Sequence, residues 1–161
     1  MNKANESLRY TLDPDSESYS VSGMGTCTDK DVVIPSTYLG KPVTGIGSWA
    51  FNNRMSMTSV TIPDSVTSIG EGAFHNCQSL TEITIPDGVT GIASWTFDGC
   101  KALTDVTIGK SVTRIEQHAF HACKKLTDIR FSEGVTGISS RAFSDCTGLA
   151  SITVEEGNST L

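Results

Sequence analysis

The chain has 161 residues, with 12 Lys and Arg against 18 Asp and Glu, a formal net charge of −6 at neutral pH. No basic stripe is present to neutralise phosphates, so nucleic acid is not an expected partner. No apolar run reaches transmembrane length, so membrane insertion is not expected either.

Residues 1–7 are polar and read as neither a signal peptide nor a membrane segment. Leu8-Arg9-Tyr10-Thr11-Leu12 alternates apolar and polar, DPDSES makes a turn, and Tyr19-Ser20-Val21-Ser22-Gly23 comes next. This pattern predicts a β-hairpin. Residues 1–31 are therefore expected to cap the N-terminal end of the domain, because unpaired strand edges invite aggregation.

From residue 32 to 161 the chain repeats. VTIPDSVTSIGEGAFHNCQSLTE begins at Val60, and its counterparts begin at Ile83, Val106 and Ile129 without a gap. The period is 23 residues, marked by Cys77, Cys100, Cys123 and Cys146. A fixed period in this range signals a solenoid, and it outranks any local reading. Aligning the units places apolar residues in register: Val60, Ile83, Val106, Ile129; then Ile62, Ile85, Ile108, Phe131; then Val66, Val89, Val112, Val135. Columns headed by Ile69, Phe74 and Leu80 complete the set. A 23-residue unit buries too little by itself to offset the entropy of ordering it, so stability must come from stacking on neighbours.

Within each unit, alternation at Ile83-Thr84-Ile85 predicts a strand, ended by Pro63 or Pro86, which cannot donate to a ladder. Strands of successive units are expected to form a parallel sheet. Val66-Thr67-Ser68-Ile69 predicts a second short extended piece, and Glu71 to Cys77 a short helical or 3₁₀ turn. The first unit, Val32 to Ser59, carries five extra residues within Ser36–Lys41, expected to bulge from one edge. The segment from Ile152 holds only the strand half of a sixth unit. That leaves an open edge, from truncation of a longer chain or masked by a partner, and self-association there is a possible consequence.

These residues resemble a leucine-rich repeat, and more closely the BspA-like repeats of the form L-x-x-I-x-I-P-x-x-V-x-x-I-G-x-x-A-F-x-x-C. SLTEITIPDGVTGIASWTFDGC matches that form almost position by position. The departures are Gly109 and Ser132 for Pro, Thr96 for Ala and Arg54 for Cys. The lead-in, with Tyr10, Tyr19 and Cys27-Thr28-Asp29, is also similar to the family's. The resemblance implies a mostly β repeat solenoid of the α/β type, right-handed, with one parallel strand per repeat. It also implies a bacterial cell-surface or secreted protein that adheres to other proteins.

The repeat columns also order the chemistry-bearing residues. A cysteine column at one per repeat suits a buried thiol, and neighbouring side chains that run parallel are poorly placed for disulfides. Zinc-type C-x-x-C spacing is absent. His118 and His121 share a turn, and His75 stands in the column of His121; with no carboxylate evident at fitting spacing, they are expected to be exposed polar residues. No nucleophile elbow, phosphate loop or metal motif is found, so no catalytic residue, metal or cofactor is expected.

Two columns remain as candidate binding surfaces. On the strand face, Glu82, Asp105 and Asp128 form an acidic stripe, flanked by Thr84, Thr107 and Arg130. A basic protein patch or a cation would suit it, and solvated charge is the plain alternative. At the turn edge, Trp49, Gly72, Trp95, His118 and Arg141 share a column. Partly exposed tryptophans there suit a protein or sugar contact; the plain alternative is that each ring covers a neighbouring repeat, including the gap at Gly72. The expected function is thus a non-enzymatic protein-binding module, with a carbohydrate-binding module or a passive spacer as alternatives.

Overall fold

The computed structural model describes residues 7–155. Its strands are β1 (Arg9–Leu12), β2 (Tyr19–Gly23), β3 (Asp31–Val33), β4 (Thr37–Tyr38), β5 (Lys41–Ile46), β6 (Ser59–Thr61) and β7 (Ser68–Ile69). They continue with β8 (Glu82–Thr84), β9 (Gly91–Ile92), β10 (Asp105–Thr107), β11 (Arg114–Ile115), β12 (Asp128–Phe131), β13 (Gly137–Ile138) and β14 (Ser151–Val154). The chain winds as a mostly β solenoid with one short strand per repeat on one side and a second, shorter strand on the next. β1 and β2 pair antiparallel as the predicted hairpin, and β2 lies parallel to β5 and so extends its ladder.

The strand side departs from the expected continuous sheet. It consists of three parallel pairs in register, β3 with β6, β8 with β10, and β12 with β14. Strands of three or four residues offer few slanted parallel bonds each, so an interrupted ladder costs little. Clefts open at the interruptions, and Ile62, Val106 and Ile108 beside them are only half-buried. The second side behaves similarly: β5 pairs with β7, and β9, β11 and β13 form a separate ladder.

The third side corrects another expectation. Among the described residues there is no helix; Glu71–Cys77 and its counterparts are tandem turns. Amides alternate between two kinds of partner. Ala73, His75 and Cys77 donate within the repeat, to the carbonyls of Gly70, Gly72 and Phe74, whereas Gly72, Phe74 and Asn76 donate to Ser94, Thr96 and Asp98 of the next repeat. Left-handed residues enforce the alternation: Gly72 and Asn76 at φ 59° and 58°, then Trp95 and Gly99, His118 and Ala122, Arg141 and Asp145. Reversing φ twice per turn points every other N–H outward, so a 3₁₀ helix cannot form.

The core lies between the three sides. Phe51, Phe74, Phe97, Phe120 and Phe143 stack in a ladder with ring centroids 5.2–5.5 Å apart. Cys77, Cys100, Cys123 and Cys146 are free thiols, as the column pattern predicts, and Cys27 is buried near the N-terminal hairpin. Cys77, Cys100, Cys123 and Cys146 each donate to the carbonyl of a phenylalanine one repeat back, at 2.9–3.2 Å. A thiol there satisfies a carbonyl that would otherwise be buried without a second partner. Burial pushes the Cys77 thiol up to about 12 and raises Cys100 well above its ordinary value.

The five extra residues of the first repeat do not bulge freely. They fold as a hairpin of β4 and β5 whose two turn residues, Leu39 and Gly40, both have positive φ. Tyr38 at its end stacks on Tyr10 at 3.9 Å and meets Tyr19 edge-on at 5.1 Å. Aromatic contacts thereby tie the insert back onto the cap.

Candidate interaction surfaces

On the strand side the acidic stripe is real and exposed. Glu82 and Asp105 are register partners, as are Thr84 and Thr107; Asp128 lies opposite Ser151, and Arg130 opposite Thr153. Inward residues of these strands enter the core, so the alternating positions must face solvent. Thr104 and Thr127 donate to the carboxylates of Asp105 and Asp128, at 2.7 and 3.0 Å, and so orient them.

The interruption between β10 and β12 makes a cleft of about 530 Å³. Asp105, Thr107, Asp128 and Arg130 line it, together with Lys110 and Glu155. Four of the six strand-face residues expected from the sequence thus converge on one concavity, while Glu82 and Thr84 line a smaller cleft of about 320 Å³ against β6. Lys110 and Glu155 escaped sequence reasoning because they stand outside the strand columns. Asp31 also escaped it, although it sits in the column of Glu82 two repeats earlier, opposite Ser59. Hydroxyls of Thr58 and Ser59 donate to Asp31 at 2.8 Å and hold its carboxyl below the usual range. An acidic residue therefore stands in this column just ahead of the first repeat, with Ser59 between it and Glu82.

At the turn edge the candidate residues share a backbone state. Trp49, Trp95, His118 and Arg141 have φ between 56° and 60°, in the left-handed region where only Gly is at ease. Gly72 alone meets that preference, and a Cβ there would lie 2.3 Å from Cε3 of Trp49. The Trp49 ring covers the glycine gap and meets His75 edge-on at 5.5 Å, while remaining 42% exposed. Trp95 stacks on His118 with ring planes 5° apart. Each tryptophan thus has one flank committed to a neighbouring repeat. The turn edge and the strand cleft stand on different sides of the coil and do not form one site.

The histidines are not plain surface residues. Asp98 occupies the same column as His75 and His121, one repeat from each. His121 Nδ1 lies 2.8 Å from Asp98 Oδ1, its Nε2 lies 3.1 Å from Asp145 Oδ2, and His75 Nε2 lies 3.7 Å from Asp98 Oδ2. The spacing of 23 was the available signal for Asp98. Among the described residues, no group of three or more His, Cys, Asp or Glu is placed to hold a metal ion.

The model of the BspA type leucine rich repeat region matches residues 44–161, in six copies. The fold is similar to the crystal structure of a T. pallidum leucine rich repeat protein, with 33% identity and a TM-score of 0.88, over 94% of this chain and 71% of that one. It is also similar to a leucine-rich repeat protein from Bacteroides ovatus, with 33% identity and a TM-score of 0.85, over 95% of this chain and 41% of that one. The pneumococcal vaccine antigen PcpA shares the fold at 22% identity and a TM-score of 0.66, over 97% of this chain and 50% of that one. No curated protein matches by sequence.

Proposed function

Because the chain belongs to the BspA-type leucine-rich repeat family, we propose that it is a non-enzymatic protein-binding module of a bacterial cell-surface or secreted protein, and that it recognises its ligand through the strand face. The observation that carries this reading is the convergence of Asp105, Thr107, Asp128 and Arg130 on the 530 Å³ cleft, with Glu82 on the strand beside Asp105. An acidic, concave strand face suits a protein ligand with a basic patch. Such complementarity raises the association rate and fades with salt. The tryptophans at the turn edge already pack on neighbouring repeats, which favours the strand face over that edge.

The test is capture of partners from host and bacterial surface fractions by three proteins. These are the wild type, a Glu82→Ser/Asp105→Ser/Asp128→Ser variant and a Trp49→Ala/Trp95→Ala variant. A partner that is lost with the acidic variant, kept by the tryptophan variant and released by raised salt is the expected result. Loss with the tryptophan variant alone would move recognition to the turn edge and favour a glycan ligand, to be checked on a glycan array.

A further inference from the structure

His121 stands between two carboxylates supplied by two different repeats. Its Nδ1 faces Asp98 of the third repeat at 2.8 Å, and its Nε2 faces Asp145 of the fifth at 3.1 Å. A neutral imidazole carries one N–H and one lone pair. In this geometry a neutral ring would turn its lone pair toward a carboxylate oxygen on one side or the other. Only the imidazolium donates on both sides. We propose that His121 is held as an imidazolium that clamps the third, fourth and fifth repeats together and makes docking of the fifth repeat depend on pH.

The surroundings agree. Asp98 accepts the hydrogen bond that does most to raise the proton affinity of His121; burial opposes it, and Asp145 adds to it. The rings of His118 and His121, on the same turn, meet edge-to-face with centroids 5.1 Å apart, and His75 of the second repeat faces the other oxygen of Asp98 at 3.7 Å. From the fifth repeat, the thiol of Cys146 also senses the charge of His121. The fifth repeat is where such a clamp matters. Its turn is held by Phe120 N–H to Ala142 O and Ala122 N–H to Ser144 O, each at 2.8 Å, and no further turn of this kind lies beyond it among the described residues. The sign is set by the direction of the shift. A histidine that binds its proton more tightly when folded stabilises the fold fully below its unfolded value of 6.5. That contribution is lost as pH rises through the folded value.

Two measurements on the whole chain test the proposal. The first is the nitrogen chemical shifts of the His121 ring during a pH titration. Both ring nitrogens should be protonated at about pH 6.5, and deprotonation should come later than in the unfolded chain. Asp98→Asn and Asp145→Asn should each shift that step toward lower pH. The second is hydrogen-exchange protection of Phe120 and Ala122, compared with Phe51 in the first repeat. Protection of the first two should fall severalfold between about pH 6 and about pH 8, while Phe51 is unchanged, and His121→Gln should abolish the difference. A ring with one bare nitrogen at about pH 6.5 would overturn the proposal. So would a pH response that persists in the His121→Gln chain.

Discussion

Phe120 and Phe143 occupy the same column one repeat apart and stack on each other at 5.3 Å. Phe120 is fully buried, yet Phe143 is only half-buried. The same contrast runs through the unit. Ile115 is completely covered whereas Ile138 is 44% exposed, and Leu126 is buried whereas Leu149 is half-buried. Ile152 and Val154 lie exposed on the outer edge of β14. The fourth and fifth repeats share one pattern, but among the described residues the fourth is covered on both faces and the fifth on one. Burial in a solenoid is thus conferred by the next repeat, not by the residue that is buried.

This contrast can be broken most directly at the phenylalanines. Phe97→Ala should cost about 3–5 kcal/mol, the usual range for emptying a packed aromatic site. Phe143→Ala should cost about half as much or less, because solvent already reaches its site and the end can collapse around it. Urea denaturation of the two variants measures the difference; equal losses would mean that the last repeat is docked as tightly as the others.

A smaller effect is expected at the left-handed turn positions. Gly72→Ala places a Cβ against the Trp49 ring and forces a side chain into the left-handed region, at a cost of about 1–2 kcal/mol. The reverse change, Ala122→Gly at φ 56°, should gain up to about 1 kcal/mol. Thermal melts of this pair show whether backbone state or packing governs the turn, and a gain from Gly72→Ala would refute the backbone account.

The thiols give the least energetic but most local contrast. Cys146 is held below the ordinary thiol value, chiefly by the side chain of Cys123 beside it, whereas burial raises Cys77 and Cys100, and Cys123 is raised first by the side chain of Cys146 and then by burial. Iodoacetamide under native conditions should label Cys146 well before those three, as mass spectrometry of peptides can track. Uniform labelling would show that the ladder opens as one unit rather than from its end.

Much of this architecture was legible in the sequence. The 23-residue period put Phe74 above Phe97 and Cys77 above Cys100, and alternation near the N-terminus announced the β1–β2 hairpin. Period and polarity suffice for that, because a stacked repeat must bury the same positions each time. The strand-face residues were legible as a column, from Glu82 through Asp105 to Asp128. Their meeting in a cleft was not, since nothing in the pattern says where a ladder of short strands is interrupted.

The remaining features came only with the tertiary structure. The turn expected to be helical is built from left-handed residues, and Trp95, His118 and Arg141 give no sign of that state in their identities. The five extra residues around Leu39 became a hairpin because Tyr10 and Tyr19 were there to receive Tyr38. Asp98 was visible as one residue in a column, but its placement between two histidines required the coils to be stacked and the rings turned toward it. Sequence alone determined which residues recur in register and which face inward, because those are set by period and polarity. Backbone handedness, the breaks between strands and the pairing of charges depend on distances across repeats, and only the packed coil sets those.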